Sequence, residues 1–214
     1  TYLNIDKIIR IAREAGCEAI HPGYGFLSER AAFAMACKEA GIRFIGPESD
    51  AINLMGNKVE ARLFVQAQGI PVIEGRTGGP EELMAAASEL SFPLLIKAAA
   101  GGGGKGMRIV REPSDLRDAL EATSREAQTY FGDGTVYAER YLDNPRHIEV
   151  QVFGDQHGNA IHLFERECSV QRRYQKIIEE SPSPSVNEAL RERITRAAVA
   201  ITRAISYSNA GTIE

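Results

Sequence analysis

Lys97-Ala98-Ala99-Ala100-Gly101-Gly102-Gly103-Gly104-Lys105-Gly106-Met107 is the stretch on which the reading of this chain turns. Four consecutive glycines plus Gly106 give a backbone without a Cβ barrier, able to bring its N–H groups close to phosphate oxygens. Lys97 and Lys105 add positive charge at both ends. The string satisfies G-x-G-x-x-G from Gly101 to Gly106, but a dinucleotide fingerprint opens a helix, and Met107 to Val110 reads as a strand. The Walker pattern fails too, because Gly106 stands where Ser or Thr should hold magnesium. What remains is a mobile glycine flap over a triphosphate, between antiparallel strands Phe92–Lys97 and Met107–Val110; the alternative is a hairpin without a ligand.

Working outward, a helix from Ser114 to Tyr130 carries Leu116, Ala119, Leu120, Thr123 and Ala127 along one face, and Thr135–Arg140 follows as a strand. Upstream, Pro80–Leu90 reads as a helix, with a new unit starting near Pro71. Before it, the pattern predicts a helix over Leu3–Ala15 ended by Gly16, a strand at Glu18–Ile20, and a turn-rich loop His21–Glu29. Ser28 is expected to cap a helix running to Ala40, with a strand at Arg43–Ile45; this order means a parallel α/β layer. Residues Pro47–Gly69 are helical with a break at Gly56. Downstream come strands at His147–Phe153, Ala160–Glu167 and Tyr174–Glu179, a helix capped by Asn187, and a final strand beginning at Ala210.

The sequence has 214 residues, 43% hydrophobic and 25% charged, enough for one substantial core or two small ones. A net charge of -4 without a basic run argues against nucleic acid as a partner, since phosphate backbones are held by clustered Lys and Arg. No apolar run approaches the roughly 20 residues that cross a bilayer. Cys17, Cys37 and Cys168 lack disulfide or metal spacing and read as reduced thiols. Thr1 is not an initiator methionine and the last strand has just begun, so the chain reads as an internal piece.

Single residues are ambiguous by themselves. Lys58 can be a solvated helix lysine, and Glu139 can accept from an adenine amino group or face water. From Glu165 to Lys176 there are four cations, two acids, two amides and a thiol, either a charged surface turn or a site for a small oxyanion. Cys168 has no partner histidine at a telling spacing, and the four histidines lack zinc-like spacing. His147 can make a structural hydrogen bond or touch a ligand, and His21 can support its loop.

Taken together, several strings resemble the biotin carboxylase family, in order and nearly end to end. They are His21–Glu29, Phe44–Pro47, Met55–Lys58, Lys97–Met107, Asn144–Val152, Glu165–Arg173 and Ala210–Glu214. The resemblance implies α/β and α+β architecture: part of a Rossmann-like pre-ATP-grasp domain (1–46), linker helices (47–70), an ATP-grasp lid (71–141) and the start of the C-terminal ATP-grasp domain (142–214). It implies ATP-dependent carboxylation of biotin with bicarbonate, through carboxyphosphate. A bicarbonate-using ligase of the carbamoyl phosphate synthetase type and a catalytically silent nucleotide-binding module are the alternatives.

Carried over by position, Lys58 and Lys97 would neutralise ATP phosphates under Gly102, Gly103 and Gly104. Glu139, Arg140, Leu142 and Met107 would hold adenine, while His147 and Gln171 would approach ribose and phosphates. Lys176 would be the bicarbonate lysine and Glu214 one of two carboxylates holding Mg2+ or Mn2+. Tyr174 departs from the family, many of whose members have His there. The second metal carboxylate and a catalytic arginine would lie past Glu214, so the chain alone is expected to be inactive. The implied partners are a biotin carboxyl carrier protein, a carboxyltransferase subunit or domain, and further copies of the full enzyme, in the cytoplasm or mitochondrial matrix, with no nucleic acid or membrane.

Overall fold

The computed structural model describes residues 2–99, 107–172 and 175–214, with the side chains of Lys58, Ala87 and Phe131 excepted. In chain order the elements are α1 (Ile5–Glu14), β1 (Ala19–Ile20), α2 (Ala31–Glu39), β2 (Arg43–Phe44), α3 (Ser49–Gly56) and α4 (Lys58–Ala67). Next come β3 (Gly75–Gly78), α5 (Pro80–Ala85), β4 (Leu94–Ala98), β5 (Arg108–Val110), α6 (Leu116–Phe131) and β6 (Val136–Arg140). Last are β7 (Ile148–Gly154), β8 (Ala160–Arg172), β9 (Gln175–Glu180), α7 (Glu188–Ala204) and β10 (Asn209–Ile213). They form two compact units, Thr1–Ile70 with Arg146–Glu214, and Pro71–Pro145.

In the first unit, Asn4 starts α1 by accepting the Lys7 N–H at 2.9 Å, and Gly16 ends it at φ 65°. Ile9 and Ala12 on its inner face join Leu27, Phe33, Cys37 and Ile42 in one core. β1 and β2 pair in parallel, as the helix–strand order predicts. Ser28, however, does not cap α2. The backbone turns first: Phe26 sits at φ 50°, the Ser28 N–H reaches Gly25 O at 3.0 Å, and the Arg30 N–H reaches Leu27 O at 3.1 Å. Those turns bury Leu27 and postpone the helix to Ala31. The break between α3 and α4 falls at Asn57, whose side chain accepts the Val59 and Glu60 N–H groups at 3.1 and 3.3 Å.

The same unit contains an antiparallel sheet of order β10-β7-β8-β9. Val150 and Val152 on β7 pack with Ala198 and Ile194 of α7, which Asn187 caps through the Leu190 N–H at 2.9 Å. β8 runs five residues past its expected end at Glu167, because Val170, Gln171 and Arg172 pair with Ile178, Lys176 and Gln175 of β9. The charged segment is therefore strand as far as Arg172, and Arg173 and Tyr174 lie outside the described residues.

In the second unit the sheet order is β3-β6-β4-β5. Leu94, Ile96 and Ala98 alternate inward on β4, and Leu94 and Ile96 pack with Leu83, Val110, Leu116, Leu120, Val136 and Ala138. Pro113–Asp115 forms a short 3-10 turn before α6, which Gly132 ends at φ 75°. β3 has no apolar alternation to announce it. Glycine is required there by close approach: a Cβ on Gly75 would lie 2.7 Å from Ala138 O. Among the described residues, no helix is long and apolar enough to cross a membrane.

Candidate functional site

Strand alternation decides which side chains are available in the second unit. With Leu94, Ile96 and Ala98 in the core, Leu95 and Lys97 point to the other face, and the β4–β6 register sets Lys97 opposite Tyr137 and Leu95 opposite Glu139. Lys97 Nζ lies 2.6 Å from Glu139 Oε1 and 5.0 Å from the Tyr137 ring centroid. The Glu139 carboxylate thus faces the lysine assigned to phosphate. Met107 is half-buried before β5, Arg140 donates its backbone N–H to Glu74 O at 2.9 Å, and Leu142 is exposed. Gly102, Gly103, Gly104 and Lys105 lie outside the described residues, as does the expected mobility of the flap. Lys58 opens α4 at its first residue.

The first unit brings the downstream candidates together on β7, β8, β9 and β10. Alternation on β7 sends Val150 and Val152 toward α7 and Glu149 and Gln151 to the opposite face, where Glu149 pairs in register with Arg166. Glu149 is 2% exposed. Its Oε1 accepts from Arg166 Nε at 2.8 Å and also from Arg166 Nη2, and its Oε2 accepts from Lys176 Nζ. Arg166 Nη1 also donates to Gln151 Oε1 at 3.0 Å. Lys176 reaches Glu214 Oε2 at 3.0 Å, and His147 Nε2 lies 2.7 Å from the same oxygen. Gln171 Nε2 donates to Cys168 O at 2.8 Å and lies 3.1 Å from His147 Nδ1. This set is satisfied when His147 carries its proton on Nε2, donating to Glu214 and accepting from Gln171.

Burial pushes the Glu149 carboxyl up, but hydrogen bonds from Lys176 and Arg166 outweigh it and hold the group below its ordinary value. Burial likewise acts to lower Lys176, and Glu149 and Glu214 reverse this and raise it, so the ammonium is secured. Glu214 is drawn below its ordinary range, where Lys176 and His147 overcome its desolvation. Burial, assisted by the Glu149 charge, pushes the Cys168 thiol up, which makes it a poor nucleophile. His147, Glu149 and Glu214 hold their nearest ligand atoms within 4.8 Å of one another. His21 accepts the Gly23 N–H at 3.0 Å within its own loop.

Lys176, His147, Gln171 and Glu214, read separately from the sequence, form one hydrogen-bonded group. Glu149 and Arg166 at its centre received no individual role in the sequence reading. Their signal was present in Ile148-Glu149-Val150-Gln151-Val152, an amphipathic strand whose polar face carries a carboxylate.

Residues 57–214 match the family model for the carbamoyl-phosphate synthase L chain ATP binding domain, and residues 1–52 match that for the biotin carboxylase N-terminal domain. The chain superimposes on the crystal structure of a biotin carboxylase–beta-gamma-ATP complex from Campylobacter jejuni with a TM-score of 0.90 and 50% identity, covering 99% of this chain and 48% of that one. The chain belongs to the biotin carboxylase family. Within that family, the biotin carboxylase domain of Hydrogenobacter thermophilus 2-oxoglutarate carboxylase, solved with MgADP, ADP and bicarbonate, matches at TM-score 0.88 and 45% identity over 99% of this chain and 47% of that one. Pyruvate carboxylase from Staphylococcus aureus is 54% identical over the whole of this chain, which spans 19% of that protein. The chain thus spans about half of these solved biotin carboxylase chains and a smaller part of the larger carboxylase. Its mixed helix and sheet architecture is that of biotin carboxylase ATP-grasp domains.

Proposed function

We propose that this chain works as part of a biotin carboxylase, in which ATP and bicarbonate carboxylate biotin on a carrier protein. The observation that carries the reading is Lys176, a partly exposed cation secured between Glu149 and Glu214. An ammonium held in place by two carboxylates can meet a small oxyanion without the cost of ordering its own side chain. We assign it to bicarbonate. His147 and Gln171 go to the ribose and phosphates. In the other unit Lys97, with Lys58 and Gly102–Gly104, is assigned to ATP phosphates, and Glu139, Arg140, Leu142 and Met107 to adenine. Residues 71–141 are taken as the lid and 142–214 as the start of the C-terminal ATP-grasp domain.

Glu214 suits magnesium in kind, being a carboxylate with a 56% exposed side chain. Glu149 does not, since both its oxygens are taken by Arg166 and Lys176. Magnesium, when bound, supplies neutralisation of phosphate charge, and Glu214 is the residue that would hold it. The residues of this chain contribute mainly positioning and charge: bicarbonate oxygen attacks the γ-phosphate, ADP departs, carboxyphosphate breaks down to CO2 and inorganic phosphate, and the biotin ureido nitrogen captures the CO2 as its N–H proton passes to the released phosphate.

The proposed setting is a longer, oligomeric enzyme in the cytoplasm or mitochondrial matrix, working with a carrier protein and a carboxyltransferase. The test is ATP turnover by the complete protein. It should require both biotin and bicarbonate and be lost in Lys176→Ala. Turnover with bicarbonate and ammonia but indifferent to biotin would instead identify a carbamoyl phosphate synthetase type of ligase, the reading that the biotin carboxylase match over 1–52 disfavours.

A further inference from the structure

Behind the sheet lies a second group of buried polar side chains that the proposed chemistry does not use. Glu167 on β8 is 6% exposed. Its Oε1 accepts from Ser169 Oγ at 2.6 Å and from Arg146 Nη1 at 3.1 Å, and its Oε2 accepts from Ser183 Oγ. Ser183 belongs to the Ser181–Pro184 connector, which Glu165 also holds. Glu165 accepts the Ser183 N–H at 3.2 Å and is held by the guanidinium of Arg191, its carbonyl taking Ser181 Oγ at 2.9 Å. Ser169, whose hydroxyl donates to Glu167, accepts the backbone N–H of His147 at 2.9 Å. The Cys168 N–H donates to His147 O at 2.8 Å. Both backbone groups of His147, the residue just before β7, are therefore clamped by consecutive residues of β8. Beyond that clamp the imidazole meets Glu214 and Gln171.

We infer that Glu167 is a positioning residue which, through the Ser169 hydroxyl, fixes the backbone of His147 and so the direction in which its imidazole meets Glu214. An ionised carboxylate can only accept, so it commits the Ser169 proton to itself and leaves a lone pair for His147. An amide in its place offers a donor as well, and the hydroxyl is free to turn. The pull of Ser169 and Ser183 brings the Glu167 carboxyl down to about 2, which keeps it in the accepting state at neutral pH.

The consequence for turnover rests on the proposed role of His147, whereas the geometric relay does not, and the experiment separates the two. In the complete carboxylase carrying 15N-labelled histidine, Ser169→Ala and Glu167→Gln should shift or broaden the His147 ring resonances and leave those of His21, His157 and His162 in place. Ser169→Thr, which keeps the hydroxyl, should restore them. Unchanged His147 resonances in folded Ser169→Ala overturn the relay, whatever the activity. For turnover, each of the two variants should lower kcat about five- to twentyfold, but less than twofold in a His147→Ala background, where the relay has nothing left to orient. Losses that multiply in that background show that Glu167 acts by another route and overturn the inference. If His147→Ala leaves turnover unchanged, the role assigned to His147 fails, and the ring resonances still decide the relay.

Discussion

Glu149 and Glu139 are both carboxylates bound to a lysine on a sheet, yet they are held in different ways. Glu149 is 2% exposed, with Arg166 on one oxygen and Lys176 on the other, and Lys176 leads on to Glu214 and His147. Glu139 is 15% exposed, with Lys97 26% exposed and lying over the Tyr137 ring. In the first region each charged group depends on its neighbours for its position. In the second, the strand register delivers Lys97 and its partner directly. Substitutions should therefore spread through the β7–β10 cluster and stay local on β4 and β6.

The largest effect is expected at Glu149. Removing Glu149 takes away the carboxylate that the partly buried Arg166 and Lys176 share and leaves them with Glu179 and Glu214 alone as charge partners, so Glu149→Ala should destabilise its unit by about 3 kcal/mol. Biotin-dependent ATP turnover should vanish with it. Glu139→Ala should cost only about 1 kcal/mol, as a more exposed pair is better solvated when broken. Chemical denaturation of the two variants, side by side, tests this. Equal losses would show that the two regions are held alike.

Lys97→Ala comes next and sharpens the contrast from the other direction. Its charge faces away from the core of Leu94, Ile96 and Val136, so folding should change by no more than about 1 kcal/mol while KM for ATP rises tenfold or more. A folded variant with an unchanged ATP response would remove Lys97 from the phosphate site. Glu214→Gln keeps the volume of the side chain and removes its charge. Turnover should fall roughly tenfold, with a higher magnesium requirement, because a neutral amide is a weaker ligand for a hard cation. Undiminished activity across a magnesium titration would show the metal assignment to be wrong.

These differences also explain what could be read in advance. The flanking strands of the glycine flap, the parallel β1–β2 pair and the Asn187 cap follow from local patterns, and each is present in the structure. Lys176, Glu214, His147 and Gln171 could be named only through resemblance, because a lone charged residue on a strand does not declare its partner. Glu149 and Arg166 required the register between β7 and β8, a long-range pairing that no local pattern fixes. The Ser28 expectation failed for a related reason. A serine before an apolar helical run is a fair cap signal, but burial of Leu27 through successive tight turns overrode it.

The smallest expected effect is invisible at neutral pH and compares two further carboxylates, Glu167 beside β7 and Glu126 on α6. Both are held below the ordinary carboxyl range by hydrogen bonds, from Ser169 and Ser183 in one case and from Arg108 in the other. Glu167 is buried and falls to about 2, whereas the Glu126 side chain is 41% exposed, so water and salt screen what Arg108 contributes. A folded-state value below that of the unfolded chain, roughly 4.3 for Glu, stabilises the fold fully above that pH. The contribution is lost as pH falls through about 4 toward about 2. Hydrogen exchange should therefore show the amides of β8 losing protection across that window, while those of α6 and β5 change less. Glu167→Gln should reduce the acid response of β8, leaving the part that comes from Glu165 on the same strand, which Arg191 also holds below its ordinary value. If α6 loses protection as steeply as β8, or if β8 in Glu167→Gln keeps the full acid response, then burial does not separate these two carboxylates and the contrast between the two units does not extend to their acid stability.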